Sequence, residues 1–271
     1  MAGQTGVGVY ESLEYAREFD LRNVRQGAHA MLAECLVEAL DLRGDERLLD
    51  VATGTGRYAL QLLPGLPRGS LIGVDAGRGM LERAREKRRE AQARRYYLVL
   101  GRAEALPVRD GGVDRAFCAF SLHHFTDPLA AVREARRTLR PGGRLVVLDP
   151  VLKPVRDELD AAIQATINRV FQQTHGPAFH FMTLAELEGI LDRAGLVARE
   201  REVYRLYFDQ EGPEGIPMGP HWVEVARALQ SGAPQLKARF EADYFTCTET
   251  RHALRLRGEL SFALVTCTIP A

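Results

Sequence analysis

The stretch 48–60, LLDVATGTGRYAL, places an apolar strand, an acid, a glycine turn and the start of a helix within one short run. Leu48, Leu49 and Val51 around Asp50 read as a buried strand, and Gly54 and Gly56 give the backbone the freedom of a tight turn. In open α/β sheets, ligands sit in the crevice outside the carboxyl ends of the strands, where such a turn lies. The pattern continues downstream. Apolar runs at 47–52, 70–76, 96–101, 113–120 and 143–149 alternate with helical segments at 57–63, 78–92 and 128–139. That rhythm predicts right-handed βαβ crossovers and a parallel sheet with helices on both faces.

Upstream, apolar residues from Val24 to Leu40 recur at helical spacing over 24–41, closed by Gly44. Asp127 before Pro128 predicts a capped helix start, and RPGG at 140–143 predicts its end and a turn into the next strand. A helix follows over 155–173, and Thr183 with Glu186 predicts a capping box opening another that ends at Gly195. The final third alternates like a strand at 196–208 and again at 259–269, with short helices around 222–230 and 234–243 between them. Two late strands without βαβ rhythm predict an antiparallel addition to the sheet edge.

Thirty-six basic residues balance thirty-six acidic ones, so no overall positive field draws nucleic acid or an anionic membrane. The first nine residues are Gly-rich and read as loose, without the pattern of a signal peptide, and no apolar run approaches the ~18 residues of a membrane helix. Cys35, Cys118, Cys247 and Cys267 have no metal-ligand spacing, so no metal is expected and free thiols in a reducing cytoplasm are.

Two ligand classes fit the glycine turn. Gly54, Gly56 and Ala59 match dinucleotide spacing, and Asp75 lies where a ribose-binding acid is expected, so NAD is allowed. Asp50 argues otherwise. A carboxylate at the end of the first strand is poorly placed beside a pyrophosphate, whereas S-adenosylmethionine carries an ammonium and a sulfonium and no phosphate. On this reading the glycines admit its methionine and ribose parts and Asp75 accepts both ribose hydroxyls.

LLDVATGTG, LIGVDAGRGMLERARE, GRAEALPVRDGGVDRAFCAFSLHHFTDP and EARRTLRPGGRLVVLDP together resemble the successive motifs of class I S-adenosylmethionine-dependent methyltransferases. The small-molecule branch with the ubiquinone and menaquinone biosynthesis C-methyltransferases is the most similar. The likeness is close over 46–150 and weak to about 197. It implies a Rossmann-like α/β fold, a doubly wound sheet of seven strands, mostly parallel with an antiparallel edge. The expected division is an N-terminal helical lid over 1–45, a cofactor-binding core over 46–150, and a remainder over 151–271 with substrate-cap insertions at about 151–182 and 209–250. It implies that Asp50, Ala52, Thr53, Gly54, Thr55 and Gly56 surround the methionine and ribose parts. Asp75 would hold the ribose, Ala76 and Met80 the adenine, and Arg102, Ala103 and Glu104 its edge. Phe120 and Ser121 would lie beside the methionine arm. Relatives have an acid where Arg102 stands; arginine cannot accept a bond from the adenine amino group.

The activity expected is methyl transfer to a small aromatic or apolar molecule, with S-adenosylhomocysteine as product. The rivals are an NAD-dependent oxidoreductase and a methyltransferase-like protein that holds the cofactor structurally. In-line transfer demands positioning first, and a base only where the nucleophile arrives protonated. His123 and His124, with Asp149 at the end of the fifth strand to orient one of them, are the candidate catalytic residues, the alternative being a pair that packs against the loop and holds backbone carbonyls; His180 lies in an expected lid. Aromatics at Phe171, Phe179, Phe181, Tyr204, Tyr207, Phe208, Trp222, Phe240, Tyr244 and Phe245 read equally as pocket lining or as cap core. The basic run 82–95 reads as a solvated helix face, Tyr15 and Arg25 as closing over the cofactor or as surface, and the protein as a monomer or homodimer.

Overall fold

The computed structural model describes residues 10–24, 28–249 and 253–269; the expectations placed on residues 1–9 and on Arg25 lie outside them. Five strands run parallel: β1 (Arg47–Val51), β2 (Ser70–Asp75), β3 (Tyr96–Leu100), β4 (Val113–Ala119) and β5 (Leu139–Leu152). Helices α3 (Arg57–Leu62), α4 (Arg78–Glu90) and α5 (Pro128–Thr138) carry the crossovers. The sheet order is β3-β2-β1-β4-β5-β9-β7, with β7 spanning Val197–Glu211 and β9 spanning Leu254–Thr268. The order reverses between β1 and β4, which opens a crevice at their carboxyl ends.

Period-two alternation divides the core. Leu48, Phe117, Val146, Leu148 and Phe262 face one side, against α2 (Ala28–Leu40), α6 (Glu158–His175) and α8 (Gly219–Gln230). Leu49, Ala116, Cys118, Val147 and Ala263 face the other, against α5 and α7 (Leu184–Arg193). The predicted caps form. Asp127 accepts from Ala130 N–H at 2.9 Å, and Thr183 and Glu186 close a reciprocal capping box.

Three expectations change and one holds. The helix expected over 24–41 is α2 alone, preceded by a separate α1 (Leu13–Val24). The expected antiparallel addition at the sheet edge forms from the two late strands: β9 pairs antiparallel with β5, and β7 lies outside it, antiparallel to β9. The seven-strand path is extended by two short strands, β6 (Met182–Thr183) beside β5 and β8 (Phe245–Glu249) beside β9. RPGG is a bulge within β5, where the partner of β4 jumps from Leu139 to Arg144. Among the described residues no helix is long and apolar enough to cross a membrane.

Candidate active site

The turn after β1 is held by its own backbone and by β2. Thr53 N–H donates to Val74 O at 2.9 Å, Gly56 N–H to Thr53 O at 2.9 Å, and Gly54 N–H to Asp75 Oδ2 at 2.7 Å. Gly54 and Gly56 have φ of +55° and +73°, and a Cβ on Gly56 would strike the Tyr96 ring, so this turn requires glycine. Two non-glycine residues also adopt positive φ at the crevice: Ala52 at the end of β1 (φ +60°) and Phe120 at the end of β4 (φ +56°). Such conformations cost about 1–3 kcal/mol each and persist where surrounding structure enforces them, as it does at binding sites.

The acids are placed differently from expectation. Asp50 is not exposed at an open crevice: it is 3% exposed, and Thr53 Oγ1 donates to its Oδ2 at 2.5 Å. Tyr96 OH lies 2.6 Å from the same Thr53 oxygen and must donate to it. Burial, with the nearby Asp75 charge adding to it, pushes the Asp50 carboxyl up to about 8. Asp75 accepts from Gly77 N–H at 2.8 Å as well as from Gly54, and burial raises its pKa too. Two buried acids whose perturbing groups include no cation suit a positively charged ligand bearing hydroxyls, and disfavour a diphosphate. Ala76 is half-buried, and Met80 and Ala103 are buried beside this turn.

Two expected contributors face elsewhere. Thr55 Oγ1 donates to Asp20 of α1 at 2.6 Å, and Asp20 also accepts from Arg83 Nε and Lys87 Nζ of α4, both at 3.0 Å. Arg102 is 57% exposed in side chain and pairs with Glu104 at 3.4 Å, while Glu104 accepts from Thr126 N–H at 3.2 Å. The basic helix α4 is thus more than a solvated face; part of it holds α1. Tyr15, in α1, packs edge-on against Tyr10.

After β4, Phe120 stacks on Tyr58 of α3 at 5.9 Å, and Ser121 Oγ lies 3.1 Å from Cys118 Sγ. A short 3-10 turn, Leu122–His124, then presents both histidines. His123 is buried; its Nδ1 lies 2.9 Å from Asp149 Oδ2, and its backbone N–H donates to the same carboxylate at 3.1 Å. That fixes the proton on Nδ1 and leaves Nε2, buried with no hydrogen-bond partner among the described residues, as a lone-pair acceptor. Burial, then the neighbouring imidazoles of His123 and His175, hold His124 well below the ordinary histidine range, so it is neutral. His180 is exposed, 3.8 Å from Glu186, and does not join them.

The sequence reading missed two further histidines. His175 ends α6 and His221 lies in the first turn of α8, and no motif marks either. Ring centroids run His123 to His124 at 4.3 Å, His124 to His175 at 5.3 Å, and His175 to His221 at 5.0 Å. Most of the aromatics read as pocket or core are core. Phe171, Phe179, Phe181, Phe240 and Phe245 are fully buried against one another and Trp222, whereas Tyr207 is 67% exposed on the outer face of β7. No cluster of His, Cys, Asp and Glu able to hold a metal ion occurs among the described residues.

Residues 49–147 match a family model described as a methyltransferase domain. The ubiquinone/menaquinone biosynthesis C-methyltransferase UbiE of Paracoccus denitrificans is 39% identical over 52% of this chain and 57% of its own length. The chain spans about half the length of such curated relatives. The 27-O-demethylrifamycin SV methyltransferase of Amycolatopsis mediterranei is 28% identical over 96% of this chain and 90% of its own. The YcgJ protein of Bacillus subtilis shares the fold, with a TM-score of 0.70 and 21% identity over 88% of this chain and 98% of that one.

Proposed function

We propose that this chain carries a class I S-adenosylmethionine-dependent methyltransferase domain resembling UbiE, and that as a whole it transfers the methyl group of S-adenosylmethionine to a hydroxyl of a small apolar or aromatic molecule. The observation that carries this reading is the buried Asp149–His123 pair, with Nδ1 bonded and Nε2 left without a hydrogen-bond partner, one strand away from the glycine turn. The likeness to the 27-O-demethylrifamycin SV methyltransferase over nearly all of this chain supports a hydroxyl acceptor.

The cofactor supplies an electrophilic methyl on a sulfonium. The chain's residues do the rest. Asp75 accepts the ribose hydroxyls, using lone pairs left over after Gly54 and Gly77 donate to it. Asp50 ionises as the cation arrives, because a positive charge beside a buried carboxyl reverses the effect of burial. Ala76, Met80 and Ala103 would pack on the adenine, and Phe120 and Ser121 would flank the methionine arm. His123 Nε2 would take the proton of the acceptor's hydroxyl, and Asp149 would steady the resulting imidazolium. His124, kept neutral, stands beside it as a hydrogen-bonding neighbour. Residues 1–45 act as a lid, 46–150 as the cofactor core, and 151–271 as the substrate cap with the rest of the sheet.

Titration calorimetry tests the cofactor and methyl-labelled S-adenosylmethionine tests the reaction. S-adenosylhomocysteine is expected to bind and NADH not to, and label is expected in a hydroxylated small molecule. Tight NADH binding without a response to S-adenosylhomocysteine would falsify the assignment. Turnover without S-adenosylhomocysteine would place the cofactor in a structural role.

A further inference from the structure

Strand β7 ends the sheet, and among the described residues β9 is the strand that pairs with it. Gly212 N–H, just past β7, donates to Leu254 O at 2.7 Å. Bonded pairs alternate along an antiparallel ladder. From Gly212 back to the irregularity at Ala198/Glu200, the even-numbered residues therefore bond β9, and the odd-numbered ones, Arg201 to Glu211, turn N–H and C=O outward. Edge strands are ordinarily kept from pairing by short length, proline, lysine or a bulge. β3, at the other end of the sheet, has 5 residues. β7 has 15, and its stretch 201–211 contains no proline, no lysine and no bulge. Its side chains are only partly covered as well. Tyr204, Leu206 and Phe208 pack on the core yet stay half-buried, and Val203 and Tyr207 on the other face are 47% and 67% exposed.

The charges on the exposed face are sorted by sign, with Arg201 and Arg205 in the first half of this stretch and Asp209 and Glu211 in the second. An antiparallel partner of the same sequence reverses that order, so base meets acid. We infer that β7 is a dimerisation edge, on which a second copy of this chain pairs antiparallel about a two-fold axis at Leu206 and continues the sheet. In that register the outward N–H and C=O groups of the two copies bond one another. Arg201 faces Glu211 of the second copy, and Arg205 faces its Tyr207. The half-covered face closes in the same way, Leu206 on Leu206 and Tyr204 on Phe208. Arg201 already pairs with Glu188 at 2.6 Å within the chain, but a guanidinium has donors enough for two carboxylates. Neighbouring registers are worse. An axis at Arg205 sets two guanidinium groups opposite each other, and one at Tyr204 sets Glu202 against Leu206. One at Tyr207 shortens the ladder and leaves Arg201 without an acid opposite. The contact is isologous and uses a single edge of each chain, so assembly stops at the dimer. It stands apart from the methyl-transfer reading, since the crevice opens between β1 and β4, away from β7.

Sedimentation velocity of the full chain is expected to show a dimer at about 10 μM. A chain that stays monomeric there, or that grows beyond the dimer, overturns the inference. Leu206→Cys sets two thiols opposite each other in a non-hydrogen-bonded pair, with Cα atoms about 4.5 Å apart, within reach of a disulfide. Mild oxidation is expected to turn that variant into a covalent dimer. Val203→Cys, which faces Asp209 and not its own copy, and the wild type, with Cys35, Cys118, Cys247 and Cys267, are expected to stay uncoupled. Arg201→Glu and Glu211→Arg each bring like charges together and are each expected to weaken the dimer about fivefold or more. The double variant, which exchanges the two charges, is expected to recover wild-type affinity. Both positions are exposed, so the exchange decides the matter should Leu206→Cys not fold. A dimer of folded Leu206→Cys that does not cross-link, or a dimer indifferent to the charge exchange, uses another surface or register and overturns the inference.

Discussion

Asp50 and Asp75 end neighbouring strands, and both are pushed up by burial, so the folded chain holds protons that the unfolded chain releases. For Asp50 the window is set by its own values. Below about pH 4 the carboxyl is protonated in both states. Between there and about 8 only the folded chain keeps the proton, so stability falls by about 1.4 kcal/mol per pH unit and levels off above. Asp50→Asn removes that titration while keeping an acceptor for Thr53 Oγ1. The variant is expected to gain on the wild type steadily as urea midpoints are measured from pH 5 to pH 8; a difference that does not change with pH contradicts the buried acid. His123→Gln keeps an amide donor for Asp149 but loses the proton acceptor. It is expected to lower kcat about 100-fold with cofactor affinity intact, and undiminished turnover removes His123 from the chemistry. The identities of these residues were legible because a strand, an acid and a glycine turn fall in order along the chain. Their protonation was not, since it depends on how deeply three neighbouring strands bury them.

At the scale of elements, what could be read depended on what holds each element in place. Strands β1 to β5 and helices α3 to α5 were visible because apolar residues mark their buried faces. Helix α1 was not. The side chains it turns inward include Ala16 and the carboxylate of Asp20, and it is secured by charge: Asp20 with Arg83 and Lys87, and Arg17 with Glu86 at 2.5 Å. Periodicity of apolar residues cannot reveal a helix anchored that way. Strand β8 is five residues long and directly follows α9 (Pro234–Asp243), too short to show alternation. His175 and His221 escaped notice for a related reason: two helices far apart in the chain bring them together, and neither has a local signature. The charge anchor of α1 makes a prediction of its own. Asp20→Ala strands the partly buried Lys87 and frees Thr55, removing charged hydrogen bonds worth about 1.5–3 kcal/mol each. Amide exchange in α1 is expected to speed up tenfold or more, roughly what 1.4 kcal/mol allows, while β1 and β4 keep their protection. Equal acceleration everywhere would mean that α1 is not a separately anchored element.

The molecule as a whole is closed by its last strand. β9 lies inside the sheet, its Phe262 in one core and Ala263 in the other, and β7 reaches the rest of the sheet through it. A chain ending at residue 249 is therefore expected to lose cooperative unfolding, which the emission of Trp222 reports; a sharp transition in that truncation would show that β1 to β5 hold without it. The crevice has the opposite relation to the whole, since it gathers ends of several elements without closing any of them. Asp50 lies near the end of β1 and the glycine turn follows it, Asp75 ends β2, His123 follows β4, and Asp149 lies in β5. A ligand that touches all four binds only the folded chain and must stabilise it by mass action. At 100 times its Kd, S-adenosylhomocysteine adds about 2.7 kcal/mol, which at about 2–4 °C per kcal/mol is a rise in Tm of roughly 5 °C or more. Asp75→Ala removes the acceptor assigned to the ribose and is expected to weaken binding at least about tenfold, taking about 1.4 kcal/mol from that gain. Thermal melts of both proteins at one fixed ligand concentration decide it: the variant's shift should be several degrees smaller, and equal shifts would free Asp75 from the ribose.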